Sequence, residues 1–509
     1  MPKQRGFPTT SLLARLDPTD RLPLHRQLYA EIRNAIVGGR IPAGARIPSS
    51  RGLAEDLGVS RTTVLQAVDQ LRAEGYLTTV MGSGTRVVDV LPEKLTRVRL
   101  AAPAVPGRAP AGGLSARGQA IVDTPRSIFR ATGDIPAFRL GIPGLDLFPR
   151  KVWNRLLIHR ARMTSVTELD YGSPPGVPVL REAIARYVAS SRGVRCTPEQ
   201  VIVISGVQHG MGFLARLLLD PGDKAWLEEP AYLAARAALS AASARIVPVP
   251  VDCEGLDVAE GIRRAPDARL AFVSPSHQYP LGVTMSLQRR LMLIDWAREA
   301  NAWILEDDYD SEFRYGGGPL MALQGLDGGS RVIYLGTFSK SVFPALRIGF
   351  IVVPQELVEG FARARMLTEQ HPPILQQLVL ADFIREGHFA RHIRRMRRAY
   401  EARQDALVTA VHRELGATLA LDPTDAGLHM TGYLPPDLPD QEVTREALAR
   451  GVEVSPLSVH YQEPGRARNG LLMGFASIDE AAIRDGVRRL AQAIDAVARS
   501  GAGRWTSAA

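Results

Sequence analysis

The chain has 509 residues, 45% of them apolar and 23% charged, which is an ordinary globular composition with room for two or more domain cores. Its two cysteines, Cys196 and Cys253, argue against a disulfide framework. No apolar run nears the ~18 residues of a membrane span, and MPKQRGFPTTSLLARLDPTDR lacks the apolar core of a signal peptide, so a cytoplasmic protein is expected. Residues 1–130 hold 19 Lys/Arg against 10 Asp/Glu, and the remainder holds 43 of each. The whole net charge of +9 therefore belongs to the first quarter, as for an end that meets a polyanion.

Residues 1–20 are expected to be a flexible arm and 21–89 a first domain. LPLHRQLYAEIRNAIV (22–37) places Leu24, Leu28, Ile32 and Ile36 at helical spacing. In PSSRGLAEDLGVSRTTVLQAVDQL, Ser49 or Ser50 caps a short helix that Gly58 ends. Ser60 caps the next helix, with Val64, Ala67, Val68 and Leu71 on one face. This is a helix-turn-helix, and GYLTTVMGSGTRVV adds two short strands as a wing. A recognition helix enters the major groove N-terminus first, so Ser60, Arg61, Thr62 and Thr63 are expected to meet phosphates and base edges.

Residues 90–135, rich in Ala, Pro and Gly, read as a flexible basic linker, and 498–509 as a flexible tail. Between them, 136–497 alternates helical stretches with short buried strands at 201–206, 224–230, 270–276, 302–308, 332–340 and 347–354. That pattern is α/β with a largely parallel sheet, whose ligands gather outside the carboxyl ends of strands. Gly206, Val207, Gln208, Tyr232, Asp307, Tyr309 and Lys340 all fall at such ends.

Those residues fit the needs of pyridoxal 5'-phosphate (PLP). Lys340 offers the Schiff-base amine, and Asp307 a carboxylate for the pyridine nitrogen. Tyr309 offers a partner for the ring oxygen, and Tyr232 a stacking platform. Gly206-Val207-Gln208 opens a helix that can cradle phosphate, helped by Thr337, Ser339 and Arg347. EDDYDSE alone could also hold a divalent cation or be solvated, and no metal site is expected.

Residues 21–88, with PLHRQL, IPSSR, LGVSRTTV and GYL, closely resemble the winged helix of the GntR superfamily. The likeness implies DNA contacts by Arg51, Ser60, Arg61, Thr62 and wing Gly82; Gln66 stands where some relatives carry a further arginine. YGSPPGVPVLREAIA, SPSHQYPLG, LEDDYDSEFRY and GTFSKSVFPALRIGF resemble aminotransferases of PLP fold type I across about 140–495. Joined to such an N-terminus they look like the MocR subfamily, the GabR-like regulators. The resemblance implies a homodimer in which Lys340 binds PLP, Asp307 meets its pyridine nitrogen and Tyr309 its ring oxygen. Arg347 and Thr337 would hold phosphate, with Tyr171 contributed by the partner subunit.

The expected function is a regulator that senses PLP or an amine and alters binding to a double-stranded operator. The rivals are a working aminotransferase with an accessory DNA-binding domain, and a DNA-binding protein with a cofactor-free structural domain. Two departures from the aminotransferase pattern stand out. Tyr279 replaces the asparagine of NPTG, and Leu472 occupies the position of the carboxylate-clamping arginine, with Arg466 and Arg468 nearby. Arg391, Arg394, Arg395 and Arg398 share one helical face, read as solvated, with a second track along DNA as the alternative.

Overall fold

The computed structural model describes residues 16–20, 22–80, 84–89, 113–125, 136–316, 318, 320–421 and 423–506. Contacts divide the chain into two units, Met1–Gly113 and Leu114–Ala509. Gly82, an expected DNA contact, lies outside the described residues.

The first unit contains α1 (Leu24–Val37), α2 (Ser50–Leu57), α3 (Arg61–Ala73), β1 (Leu77–Val80) and β2 (Gly84–Val87). Ser49, rather than Ser50, caps α2: its Oγ accepts the Gly52 N–H at 3.2 Å. Gly58 then takes a left-handed φ of 63°, which glycine adopts without steric cost, and so turns the chain into α3. Ser60 Oγ accepts the Thr63 N–H at 3.1 Å and starts that helix. Leu28, Ile32, Leu53, Val64, Ala67 and Leu71 are fully buried together, while Val68 packs only partly against them. The strands pair antiparallel, Leu77 opposite Val87. This is a winged helix.

The second unit is built on an eight-stranded sheet of β3 (Val201–Ile204), β4 (Lys224–Glu229), β5 (Arg245–Asp252), β6 (Gly255–Leu256), β7 (Leu270–Val273), β8 (Trp303–Asp308), β9 (Val332–Thr337) and β10 (Gly349–Val352). The order is β3-β10-β9-β8-β7-β4-β5-β6. Strands β5, β4, β7, β8 and β9 run parallel, and β10 lies antiparallel between β9 and β3. The runs VIVI, LAFV and VIYLGT are buried throughout, as expected of strands covered on both faces. The strands end earlier than the sequence pattern suggests. Beyond Ile204, Val273 and Thr337 the chain leaves the ladder, and the polar loops that follow are free to face a ligand.

The helices of this unit include α4 (Ala116–Val122), α5 (Pro178–Arg192), α6 (Val207–Leu218), α7 (Leu233–Ala241), α8 (Val358–Thr368), α9 (His388–Glu414) and α10 (Glu480–Thr506). A smaller antiparallel sheet of β11 (His429–Tyr433), β13 (Gly470–Gly474) and β12 (Ser455–Pro456) completes the unit. Two sequence expectations need correction. The linker holds a helical turn pair in α4, capped by Ser115 Oγ accepting the Gly118 N–H at 3.1 Å and lying against α7. The expected tail from 498 is instead the continuation of α10 to Thr506. Among the described residues no helix is long and apolar enough to cross a membrane.

Candidate cofactor pocket and nucleic-acid interface

Loops from the ends of β3, β8 and β9 converge on a cavity of about 210 Å³. Val207, Gln208, Tyr232, Tyr279, Asp307, Tyr309, Thr337, Ser339, Lys340 and Arg347 all line it, with His429 from β11. Thus most of the residues expected around PLP meet at one place, although Lys340 and Gln208 are 132 positions apart in sequence. Gly206 adjoins it at the mouth of α6, with a φ of 95°. A Cβ there would stand 2.7 Å from the Arg347 guanidinium, so only glycine lets that arginine reach the helix start. Arg347 itself adopts a left-handed φ of 52° and donates from Nη2 to the Ser205 carbonyl at 3.2 Å. The Ser339 N–H donates to Thr337 Oγ1 at 3.1 Å. Helix N–H groups, two hydroxyls and a guanidinium therefore surround one end of the cavity, the chemistry of a phosphate cup.

The middle of the cavity is dominated by burial. Lys340 Nζ donates to the Gly141 carbonyl at 2.7 Å, and burial lowers its pKa from the ordinary lysine value. A lysine so shifted is more readily the neutral amine that attacks an aldehyde. Burial, with the like charges of Asp308 and Asp310, pushes the Asp307 carboxyl up to about 8. Asp307 Oδ1 is buried without a hydrogen-bond partner among the described residues. A buried carboxylate oxygen aimed into a cavity calls for a donor there, and a protonated pyridine nitrogen is one. The residues present therefore fit PLP.

Tyr279 packs into an aromatic group, with ring centroids 5.3 Å from Tyr232, 6.2 Å from Tyr309, 5.2 Å from His429 and 5.4 Å from His460. The clamp position is apolar: Leu472 on β13 is fully buried with Leu140 and Leu457. Arg466 pairs with Glu463 at 2.9 Å, and Arg468 lies over the Tyr433 ring at 4.1 Å; neither lines the cavity. Tyr171 is 77% exposed, edge-on to His371, and away from the cavity of its own chain. A larger open groove of about 700 Å³ runs between α5 and α9 past Arg394 and Arg397, so volume alone does not locate the chemistry. On that helix Arg391 donates to His388 Nδ1 at 2.7 Å, and Arg395 to the Leu147 carbonyl.

In the first unit Arg51, Ser60, Arg61, Thr62 and Gln66 are exposed around the start of α3. Arg61 Nε donates weakly to Ser50 Oγ at 3.4 Å, which ties the recognition helix to α2 while leaving the guanidinium on the surface. Thr63 is only half-exposed, and its hydroxyl lies 2.8 Å from Ser60 Oγ, so it serves the helix cap.

Residues 24–87 match the family of bacterial regulatory proteins of the gntR family, and 152–490 match aminotransferase class I and II. The chain is 44% identical over 96% of its length to the probable rhizopine catabolism regulatory protein MocR of Rhizobium meliloti, covering 97% of that protein. The chain belongs to the MocR-type regulators. Other such relatives are the HTH-type regulator TauR of Rhodobacter capsulatus, at 32% identity over 94% of this chain and 98% of that one, and the pyridoxine biosynthesis regulator PdxR of Corynebacterium glutamicum, at 32% over 92% and 95%. The aminotransferase-like unit of this MocR-type chain resembles the multiple substrate aminotransferase of Thermococcus profundus, with TM-score 0.67 and 26% identity, over 76% of this chain and 98% of that one. It also resembles the kynurenine aminotransferase of Pyrococcus horikoshii, with TM-score 0.66 and 28% identity, over 72% and 91%. The MocR-type chain is thus a transcriptional regulator with a GntR-type DNA-binding domain and a PLP fold-type-I domain.

Two features of the pocket escaped the sequence reading. His277 packs beside Tyr309 and His429, ring centroids 5.9 and 5.2 Å away, and Asp310 bonds His277. The available signal was position: His277 follows the end of β7 and Asp310 the end of β8, beside Asp307.

Proposed function

We propose that the protein binds PLP covalently at Lys340 and changes its affinity for an operator when PLP or an amine occupies the pocket. The unpartnered, buried Oδ1 of Asp307, set in the same cavity as Lys340, carries this reading. Bound PLP supplies an electrophilic carbon and an electron-withdrawing pyridinium ring. Asp307 would hold the pyridine nitrogen protonated. Tyr232 would cover the ring, and Gly206, Val207, Gln208, Thr337, Ser339 and Arg347 would hold the phosphate. Exposed Arg51, Arg61 and Thr62 would meet DNA, with Ser60 at the helix start and Gly82 on the wing.

A homodimer suits the exposed apolar surface at Val166 (84%), Leu169 (77%), Tyr171 (77%) and Leu367 (76%). A second copy would cover it and carry Tyr171 towards the facing pocket. Leu472, buried where a substrate carboxylate clamp is expected, weighs against the rival reading of a working aminotransferase.

A ligand regulates only by binding one arrangement of the protein better, typically with a coupling of ~1–3 kcal/mol. The test titrates operator DNA by fluorescence anisotropy with and without PLP and candidate amines, beside a keto-acid-coupled transaminase assay. A change in DNA affinity of about fivefold or more is expected with PLP or one amine, and slow or no turnover of common α-amino acids. Efficient turnover of alanine, aspartate or glutamate, with DNA binding unmoved by every ligand, would establish the rival.

A further inference from the structure

Tyr309 lines the cavity, but its hydroxyl already has a neighbour. Its Oη lies 2.9 Å from His277 Nδ1, and the same Nδ1 lies 3.0 Å from Asp310 Oδ2. One nitrogen therefore serves two oxygens. Asp310 is 1% exposed and His277 3%. A carboxylate oxygen accepts, so the hydrogen belongs on Nδ1, shared between Asp310 and Tyr309. The tyrosine oxygen then accepts in this contact, and its own hydrogen is left over for the cavity.

The fold gives the imidazole a fitted seat. Gly282 (φ 78°) and Gly427 (φ 99°) both lie close against the ring. A Cβ on Gly427 would come 2.7 Å from both ring nitrogens, and one on Gly282 3.1 Å from Nε2. His277, Asp310 and His429 bring donor atoms within 4.8 Å of one another, the spacing of a metal site. Of the ring nitrogens, His277 Nδ1 is bonded as above and His429 Nε2 faces the Pro280 carbonyl at 3.2 Å, while His277 Nε2 is buried with no hydrogen-bond partner among the described residues.

We propose that His277, fixed in its tautomer by Asp310, is a positioning residue that makes the Tyr309 oxygen an acceptor and so commits the tyrosine hydrogen to the ring oxygen of the cofactor. The inference rests on the PLP reading above. Its consequence is chemical. The ring oxygen of lysine-bound PLP shares the proton of the neighbouring nitrogen. A hydrogen donated by Tyr309 satisfies that oxygen, so the nitrogen loses its proton at lower pH. Without it, the proton is held to higher pH. Among the described residues the other ionisable groups that act on the trio are Asp307, Lys340 and Glu228, with Tyr279, Tyr315 and His429.

The experiment follows the visible spectrum of PLP-loaded full-length protein against pH in wild type, His277→Leu, His277→Asn and Tyr309→Phe, and in each His277 variant combined with Tyr309→Phe. Losing one hydrogen bond to a charged group should raise the spectral midpoint by about one pH unit in Tyr309→Phe and His277→Leu. His277→Asn keeps an N–H donor near Nδ1 and should restore a midpoint close to wild type. In the Tyr309→Phe background the His277 changes should add nothing, a non-additivity that a merely structural histidine would not produce. Should His277→Leu not yield folded protein, Asp310→Ala replaces it. The loss of charge is then common to both backgrounds, and their difference isolates the tyrosine. Unchanged midpoints in His277→Leu, or equal shifts with and without Tyr309, would overturn the inference while leaving the cofactor reading intact. A wild type that takes up no PLP would overturn both.

Discussion

Arg61 and Lys340 do their work in opposite physical settings. Arg61 is exposed at the start of α3, among neighbours one to three residues away, and it meets the field of water. Lys340 sits in a cavity whose walls come from β3, β8, β9 and β11, and burial shifts its proton affinity and that of Asp307 in opposite directions. A phosphate-reading surface needs its charge intact and mobile, whereas a covalent lysine needs a neutral amine held in place. The difference explains why one unit concentrates the chain's net positive charge and the other buries its polar groups against each other.

The largest expected effect is at the buried end. Lys340→Ala should abolish the visible absorbance of the PLP-loaded protein, and borohydride reduction of wild type should fix the cofactor mass on the peptide carrying Lys340. The winged helix, in the other unit, should still bind operator DNA, but the response of that binding to PLP should be lost. A colourless wild type that stays so with added PLP would remove the contrast between the two units altogether.

Arg61→Ala probes the exposed end with an intermediate effect. A loss of about 1–3 kcal/mol in operator affinity is expected if the guanidinium reads a base. If it meets only phosphate, the loss should be uniform across sequences and the salt slope should fall by about one. Undiminished binding in anisotropy titrations would put the recognition surface elsewhere on the unit.

The two settings also differ in how openly the chain declares them. Ser60, Arg61 and Thr62 were legible because cap, contact residues and apolar face fall within one stretch whose period is local. The pocket was legible residue by residue at strand ends, in Asp307, Thr337 and Lys340. What joins them was not: a lone His277 in a loop and an Asp310 in an acidic run carry no period, and their meeting depends on β7 lying beside β8. Strand β5 was missed for a different reason. Its Pro248 and Pro250 lack the N–H of a ladder, and they are tolerated because β5 is flanked outside only by the two-residue β6. The register of α4 and the extension of α10 were masked by compositions that also suit linkers.

The smallest effect tests burial itself, through pH. In the folded protein without PLP, the Asp307 carboxyl is pushed up to about 8, whereas an unfolded aspartate titrates near ~4. Between those values the folded state holds the proton more tightly. The resulting stability is therefore complete below about pH 4 and is lost as pH rises through about 8. Glu228, also pushed to about 8 by burial, and Glu306, pushed to about 7, act with the same sign. All three belong to the second unit. Its melting temperature should therefore fall as the PLP-free protein is taken from about pH 5 to about pH 8. Asp307→Asn, which stays neutral, should remove part of the slope, a difference of about 2 °C or more across the window by scanning calorimetry. Glu228, Glu306 and Glu312, the last pushed to about 7 by burial, would supply the remainder, offset in part below about pH 6.5 by His392, His429 and His460, which burial holds down to about 4, 3 and 4. Added PLP should flatten the slope too, since a pyridinium donor at Oδ1 favours the ionised carboxylate and brings the folded pKa back down. Equal slopes in wild type and Asp307→Asn, with or without PLP, would mean that Asp307 reaches water in the folded protein, and the buried half of the contrast would lose its central group.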